Sequence, residues 1–461
     1  MILQNRLPNL TKYLLFSVFI SSYLLAASAT KKPNILFIAV DDLRPELGCY
    51  GSSVALSPNI DQLAKSGTLF ERAYCQVPVC GASRASLMTG LYPTDKRFVT
   101  YYSRADKDAP GVTDLPTWFQ QNGYTTISNG KIYHEWNDSR DSWSEFYRPP
   151  DFGLYNLPVN VALPKGKRPA YEAADVADEA YAGGLMTNKI IKDLERAKAA
   201  GSPFFITAGY TKPHLPFNAP KKYWDLYKYD SIELVDNPYV PLGAPKEAIH
   251  GWHELRNMYS GIPKEGPLSD ELARTLMHGY YACVSYTDAM IGRLLDALDR
   301  LGMSDDTIVL LWGDHGWQLG EHSLWCKHSL FETSLHAPLI IRAPGYDSSQ
   351  RVEALVEFVD IYPTLCELAG LTVPNHLQGQ SMKSLMLDPK EDFKTYIFGR
   401  YHGGDSVRSD GFQYTQWKSG AEMLYDHSVD PDENINTVND AAYMETVTEM
   451  REALRVHLLT L

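Results

Sequence analysis

The stretch Asn34-Ile-Leu-Phe-Ile-Ala-Val-Asp41-Asp42 joins six consecutive apolar residues to two carboxylates. Such a run is typical of a strand that is covered on both faces in a parallel sheet. Similar runs occupy residues 204–208, 308–312 and 338–341. Helical patterns lie between them at residues 173–200 and 269–301, the second with Ser269 as its expected N-cap and Gly302 after its end. The alternation predicts an α/β fold in which helices cover a large, mainly parallel sheet.

Composition sets the broad class of the protein. The chain has 461 residues, 44% of them hydrophobic and 21% charged, which is typical of a globular protein. It carries 43 Lys and Arg against 56 Asp and Glu, a formal net charge of −13. General nucleic-acid binding depends on a basic surface over the phosphates, so the charge argues against that class of protein.

The N-terminus has the pattern of an export signal. Arg6 and Lys12 precede an apolar run at residues 13–27, and Ala27-Ser-Ala29 supplies a small-x-small cleavage site. We expect a signal peptide at residues 1–29 and a periplasmic or secreted protein after cleavage near Ala29. The alternative is an uncleaved anchor, but the run is shorter than the ~20 residues that span a membrane. No stable membrane anchor is therefore expected.

The pattern changes near residue 375. Residues 30–375 are predicted to form the catalytic domain. Short strand-like pieces and a final helix at residues 443–459 follow, so residues 376–461 are predicted to form a C-terminal α+β subdomain with a small antiparallel sheet. Residues 138–168 and 218–267 are rich in Pro, Tyr and Trp without clear periodicity. Long loops of this kind usually form walls or lids of functional sites.

Two of the predicted strands end in acidic residues. Asp41 and Asp42 follow the first strand, and Asp314 and His315 follow the strand at residues 308–312. Ligands of open α/β sheets bind at the carboxyl ends of strands. Three carboxylates there would repel one another unless a cation lay among them, and oxygen-rich ligation favours a hard divalent ion. Without a metal, Asp42 would be a helix N-cap and Asp314-His315 a turn.

The segment Cys75-Gln-Val-Pro-Val-Cys80-Gly-Ala-Ser83-Arg84 leads into another predicted helix. Cys80 would lie at its start, with Ser83 and Arg84 in the first turn. The helix dipole and Arg84 would activate a thiol at this position, which makes Cys80 a candidate nucleophile. The alternative is a buried structural Cys. No second Cys/His pair with zinc-ligand spacing accompanies this segment.

Several motifs together resemble the type I, formylglycine-dependent sulfatases of the alkaline-phosphatase superfamily, and most of all the iduronate-2-sulfatase-like branch. Cys80-Gly-Ala-Ser-Arg84 resembles the Cys-x-Pro/Ala-Ser-Arg signature and precedes Leu-Met-Thr-Gly-Leu-Tyr-Pro93. The other matching motifs are the opening strand with Asp41-Asp42, Gly130-Lys131-Ile-Tyr-His134, Gly209-Tyr-Thr-Lys-Pro-His214, and Gly313-Asp-His-Gly-Trp-Gln-Leu-Gly-Glu-His322 with Lys327. The resemblance covers nearly the whole chain after residue 29 and implies the alkaline-phosphatase-like fold.

The resemblance also implies a role for each matching residue. Cys80 would be oxidised to formylglycine, whose hydrate attacks sulfur. Asp41, Asp42, Asp314 and His315 would bind one divalent metal, usually Ca²⁺, together with the formylglycine at position 80. The remaining roles would be stabilisation of charge by Arg84 and Lys131, proton acceptance by His134, sulfate binding by Lys327, and protonation of the leaving alkoxide by His214. Ala82 stands where the family more often has Pro. This difference affects which kind of maturation enzyme can convert Cys80.

The implied function is an exported sulfatase that hydrolyses O-sulfate esters of a uronic-acid-containing polysaccharide or its oligosaccharides, of the ulvan or glycosaminoglycan type. Its partners would be that substrate and a formylglycine-generating enzyme. One alternative is a phosphoester or phosphonate hydrolase of the same superfamily, and another is an inactive carbohydrate-binding protein. Tyr101 and Arg104 are further candidates for the substrate pocket.

Overall fold

Parallel strands form the centre of the molecule, as the first stretch of sequence predicts. In the computed structural model, which describes residues 32–149 and 155–461, every residue of the opening strand is buried. The strands are β1 Asn34–Val40, β2 Thr68–Tyr74, β3 Thr125–Asn129, β4 Glu145–Tyr147, β5 Tyr171–Ala174, β6 Phe204–Tyr210, β7 Phe217–Pro220, β8 Thr307–Gly313, β9 Gln318–Leu319, β10 Trp325–Cys326, β11 Leu339–Arg342, β12 Gln350–Glu357, β13 Ile397–Tyr401, β14 Gly404–Arg408, β15 Phe412–Trp417 and β16 Glu422–Asp426.

The main sheet has the strand order β12-β2-β11-β8-β1-β6-β3-β4. Strand β11 runs antiparallel to both β8 and β2, whereas the other neighbours are parallel. β1 lies between β6 and β8, and all three strands are buried along their whole length. The predicted α/β class and the mainly parallel sheet are confirmed.

Helices of very different length connect these strands. They are α1 Pro58–Lys65, α2 Cys80–Thr89, α3 Ala105–Asp108, α4 Leu115–Gln121, α5 Pro158–Val161, α6 Ala182–Ala200, α7 Lys221–Trp224, α8 His253–Met258, α9 Asp270–Arg300, α10 Glu332–Leu335, α11 Ile361–Leu368 and α12 Met444–Leu458. In α9 the Ser269 hydroxyl accepts a hydrogen bond from the backbone N–H of Leu272, as expected of its N-cap. Gly302 follows with φ of +60°.

The prediction of one helix over residues 173–200 is wrong at its N-terminal end. Residues Tyr171–Ala174 form β5, which pairs with β7, and the helix begins only at Ala182. The Ala-rich stretch has helical propensity, but tertiary pairing with a neighbouring strand overrides it.

Strands β13 to β16 form an antiparallel sheet in sequence order. This sheet and α12 share a hydrophobic core that includes Val407, Tyr414, Leu424 and Met450. The C-terminal sheet subdomain is therefore confirmed. The boundary between residues 375 and 376 stays a prediction.

The predicted signal peptide at residues 1–29 lies outside the described residues. Within residues 32–149 and 155–461, no helix combines the length and the apolar character that crossing a membrane requires. Among the same residues, all six cysteines are free thiols.

Candidate active site

Parallel pairing brings the ends of three strands to one edge of the sheet. Val40, the last residue of β1, lies opposite Tyr210 of β6 and Gly313 of β8. The segments that follow these three strands carry Asp41 and Asp42, His214, and Asp314 and His315. The predicted convergence of the acidic strand ends is present in the structure.

Asp42 turns the chain away from β1. Its φ is 59°, in the left-handed region, and its backbone N–H donates to Asp314 Oδ1 at 3.0 Å. Such strain persists where the surroundings fix the conformation, often at functional sites. The alternative of Asp42 as a helix N-cap is wrong, since no helix begins there.

Cys80 is the first residue of α2 and points to the acidic strand ends. Its Sγ lies 3.2 Å from His315 Nε2 and 3.8 Å from Asp42 Oδ1. The next residue must be Gly, because a Cβ at Gly81 would lie 2.0 Å from the backbone oxygen of Tyr101. Burial and the nearby Asp41 carboxylate raise the pKa of Cys80 well above its usual value. The surroundings of Cys80 therefore favour the neutral thiol over the thiolate.

Carboxylates and backbone carbonyls occupy the guanidinium of Arg84. The fully buried fork donates to Asp314 Oδ2 at 2.8 Å and to Asp41 Oδ1 at 3.1 Å, and also to the backbone oxygens of Lys131 and Ile132. Arg84 thus ties the ends of β1 and β8 together.

Lys131 reaches the Asp41 carboxylate from the end of β3, which is separated from β1 by β6. It follows β3 through Gly130, where φ is +78° and a Cβ would lie 2.3 Å from the backbone oxygen of Gly209. Its Nζ lies 2.6 Å from Asp41 Oδ2. Burial alone would raise the pKa of Asp41, but the charges of Lys131 and Arg84 outweigh it and hold the pKa well below its usual value. Asp41 is therefore a stable buried anion.

Lys327 and His214 form the more open side of the site. Lys327 Nζ lies 3.1 Å from Asp42 Oδ1, and His214 Nε2 lies 3.8 Å from Asp42 Oδ2. Burial would lower the pKa of His214, but the carboxylates of Asp42 and Glu254 outweigh it and raise the pKa. The His214 side chain keeps 25% of its surface exposed, so this side opens to solvent.

His134 has a ring nitrogen without a hydrogen bond to any described residue. Within the part of the chain that the structure describes, its buried Nδ1 has no hydrogen-bond partner. Burial and the charge of Lys131 lower the pKa of His134 to about 3. The ring is therefore neutral near pH 7, and the Tyr101 ring lies 5.8 Å from it.

The chemistry of the donor atoms fits a divalent metal. Potential ligand atoms of Asp41, Asp42, Cys80 and His214 lie within 4.8 Å of one another, and so do those of Cys80, Asp314 and His315. His315 Nδ1 can donate to the backbone oxygen of Gly316 at 2.8 Å, which leaves Nε2 facing the carboxylates of Asp42 and Asp314. Three of these six residues offer carboxylate oxygens, the donors that hard cations prefer.

Glu254 was not predicted. It belongs to α8, in the irregular segment 218–267 that was expected to form a wall of a site. Its carboxylate lies 3.0 Å from His214 Nε2 and 2.8 Å from Lys327 Nζ. The sequence offered no signal for this residue other than its place in that segment.

Comparisons with known proteins identify the family of this chain. The family model described as Sulfatase matches residues 33–371, and the model described as N-sulphoglucosamine sulphohydrolase, C-terminal, matches residues 320–458. The human iduronate 2-sulfatase is 38% identical over 391 residues, which cover 76% of this chain and 71% of that relative. The chain belongs to the sulfatase family. It is a sulfuric ester hydrolase by this membership, and the resemblance inferred from its motifs is confirmed.

Solved structures share the fold. One, a complex with its substrate D-glucosamine-2-N,6-O-disulfate, has a TM-score of 0.77 at 22% identity and covers 93% of this chain and 97% of its own. Another, the phosphonate monoester hydrolase of Agrobacterium radiobacter, has a TM-score of 0.78 at 23% identity, with 92% and 96% covered. Sulfatases in general use formylglycine and a divalent metal, and the cluster around Cys80 has the residue types for both.

Proposed function

We propose that this chain is an exported sulfatase that hydrolyses O-sulfate esters of a uronic-acid-containing saccharide, of the ulvan or glycosaminoglycan type. The observation that carries the proposal is the convergence of Asp41, Asp42, Asp314 and His315 on Cys80, with Arg84, Lys131 and Lys327 around them. A sulfate ester can enter an acidic protein when the local charge of its pocket is positive.

Asp41, Asp42, Asp314 and His315 would hold one divalent ion, for which we propose Ca²⁺, and Cys80 would be converted to formylglycine. When present, the metal supplies Lewis acidity toward sulfate oxygens, and the hydrated aldehyde supplies the attacking hydroxyl. Arg84 and Lys131 keep the buried carboxylate of Asp41 ionised, and Arg84 also holds Asp314 in place. They also place fixed positive charge near the sulfur of the sulfate ester. Negative charge spreads over the oxygens of that group in the transition state.

Two histidines are suited to opposite proton transfers. His134 is neutral near pH 7, so its ring can accept the proton of the hydroxyl that is not bonded to sulfur. His214 has a raised pKa and can donate from Nε2 to the leaving oxygen. A sugar alkoxide leaves poorly without a proton, so this donor matters for carbohydrate esters. Lys327 would bind a sulfate oxygen next to it.

Exposed aromatic rings support a saccharide substrate. Tyr101 and Tyr102 are 44% and 64% exposed, and their ring centroids lie 3.8 Å apart. Tyr101 lies directly over the N-terminus of α2, because its backbone oxygen packs against Gly81. Rings at the rim of a sulfate pocket can stack on the apolar face of a sugar. The uronic-acid preference rests on the likeness to iduronate 2-sulfatase.

The proposed export rests on the N-terminal pattern of residues 1–29. A formylglycine-generating enzyme would be the maturation partner. Because Ala82 stands in the signature, conversion of Cys80 should require a maturation enzyme that accepts Ala at this position.

The experiment is a substrate panel assayed with protein from its native host. Sulfate release is measured from defined sulfated disaccharides that differ in sugar and sulfate position, with Cys80→Ala as the negative control. We expect the wild type to release sulfate from a sulfated uronate, and Cys80→Ala to release none. Release from none of the sulfated saccharides would contradict the proposal.

A phosphonate or phosphoester hydrolase is the second candidate, favoured by the shared fold with a phosphonate monoester hydrolase. Parallel assays on 4-nitrophenyl sulfate and phenyl phosphonate esters separate the two. Turnover of the phosphonate ester without any sulfate release would establish this second function.

A further inference from the structure

One carboxylate bridges the two cationic side chains on the open side of the site. Glu254 Oε1 lies 3.0 Å from His214 Nε2 and 3.0 Å from Lys327 Nζ, and Glu254 Oε2 lies 2.8 Å from the same Nζ. His214 Nδ1 lies 2.6 Å from the backbone oxygen of Leu215. Both nitrogens of the imidazole therefore face an acceptor, and the ring has no freedom to turn.

The helix that carries Glu254 is fixed from both ends. Trp252 precedes α8 with φ of 50°, in the left-handed region, and its Nε1 donates to the backbone oxygen of Ser323 at 2.9 Å. The Arg256 guanidinium lies 3.7 Å from the centre of the Trp252 ring and donates to the backbone oxygen of Pro263 at 3.0 Å. A strained residue held by such contacts indicates that the position of α8 matters.

Burial places Glu254 at the mouth of the site. Its side chain is 18% exposed and that of His214 is 25% exposed, whereas the carboxylates of Asp42 and Asp314 are fully buried. A leaving sugar must depart through the open side. The bridge therefore lies on the leaving-group side of the site and away from the strand ends that hold the metal ligands.

We propose that Glu254 is a positioning residue that holds His214 Nε2 and Lys327 Nζ in a fixed pair on the leaving-group side. The inference rests on the proposed sulfatase function. Glu254 contacts His214 and Lys327 rather than the substrate, and the Nε2 proton that faces Glu254 in the resting site would turn to the leaving oxygen when substrate is bound. It fixes the distance between the side chain that binds sulfate and the side chain that protonates the leaving oxygen, and small displacements of such groups slow catalysis.

The test compares two esters of different leaving groups. A sugar sulfate needs protonation of its alkoxide, whereas 4-nitrophenyl sulfate releases a stable phenolate without it. We expect Glu254→Gln to lower kcat on the sugar sulfate by about 10- to 100-fold and kcat on the aryl sulfate by about threefold or less. Glu265→Gln is the matched control, because Glu265 is an exposed acid in the same segment. It should leave both rates unchanged.

Glu254→Asp keeps the charge but is one methylene shorter and should not reach both partners. We expect it to stay impaired on the sugar sulfate, and thermal melting of both variants confirms folding. If Glu254→Gln does not fold, Glu254→Asp decides the matter alone. Wild-type rates in Glu254→Asp, or equal losses on both esters, would overturn the bridge while leaving the sulfatase function intact. Absence of sulfate release by the wild type would overturn the proposed function, and this inference with it.

Discussion

The two sides of the candidate site differ in the origin of their side chains. On the inner side, Asp41, Asp42, Asp314 and His315 directly follow the central strands β1 and β8, and each is at most 1% exposed. On the outer side, His214, Glu254 and Lys327 come from loops and a short helix, and two of them are partly exposed. Strand pairing places the first set and Arg84 ties its two halves together, whereas the second set depends on a carboxylate from a distant segment. The inner side is therefore expected to tolerate change less than the outer side.

The largest effect is expected at the residue where the two sides meet. Cys80→Ala should lower kcat/KM for any sulfate ester by roughly 10⁴-fold or more, because the nucleophile is lost. Sulfate release measured by ion chromatography checks this. Cys75→Ala is the matched control, since Cys75 is a buried thiol five positions earlier whose Sγ faces the backbone oxygen of Ser334 at 3.8 Å. Comparable losses in both variants would show that the thiol at position 80 has no special role.

A stability measurement probes the inner side. Arg84→Lys removes the fork that joins Asp41 to Asp314 and leaves buried polar groups unpaired, which should cost about 3 kcal/mol or more in the free energy of unfolding. Urea unfolding in the presence of a chelator measures it. The control is Arg72→Lys, since Arg72 pairs with the exposed Asp410 and its replacement should cost less than about 1 kcal/mol. Equal costs would contradict the view that Arg84 ties the strand ends together.

The outer side is probed through the leaving group. His214→Ala should lower kcat on a sugar sulfate by about 10²-fold or more, and much less on 4-nitrophenyl sulfate. The aryl ester serves as the internal control, because any general loss of structure would slow both reactions. A loss of the same size on both esters would contradict a proton-donating role for His214.

The smallest effect is expected at the rim. Tyr101→Ala should raise KM for a sulfated oligosaccharide by about 3- to 10-fold with kcat nearly unchanged, because an aromatic contact contributes about 0.5–1.5 kcal/mol. Steady-state kinetics on a disaccharide and a longer oligosaccharide check it. Trp136→Ala provides a comparison, since Trp136 is 59% exposed. An unchanged KM for every saccharide in Tyr101→Ala would contradict stacking on this ring.

Much of the inner side could be predicted from sequence, because an apolar run that ends in acids marks both a buried strand and its carboxyl end. The sequence also indicates that Cys80 belongs to the site, but it does not indicate that the pKa of the Cys80 thiol is raised. The effect of Arg84 depended on its partners, Asp41 and Asp314, and these are visible only in three dimensions. The start of α6 and the strand β5 were missed because pairing with β7, not local propensity, decides them. Glu254 could not be found because nothing local distinguishes it from other acids in loops.

The central claim is that Cys80 supplies the catalytic aldehyde of a sulfatase. The most direct measurement is mass spectrometry of the peptide that contains Cys80, taken from protein of the native organism. The account predicts the mass of a peptide in which the CH₂–SH group of Cys80 has become an aldehyde. The mass of the aldehyde hydrate should also be present. An unmodified thiol at Cys80 throughout the purified protein would contradict it.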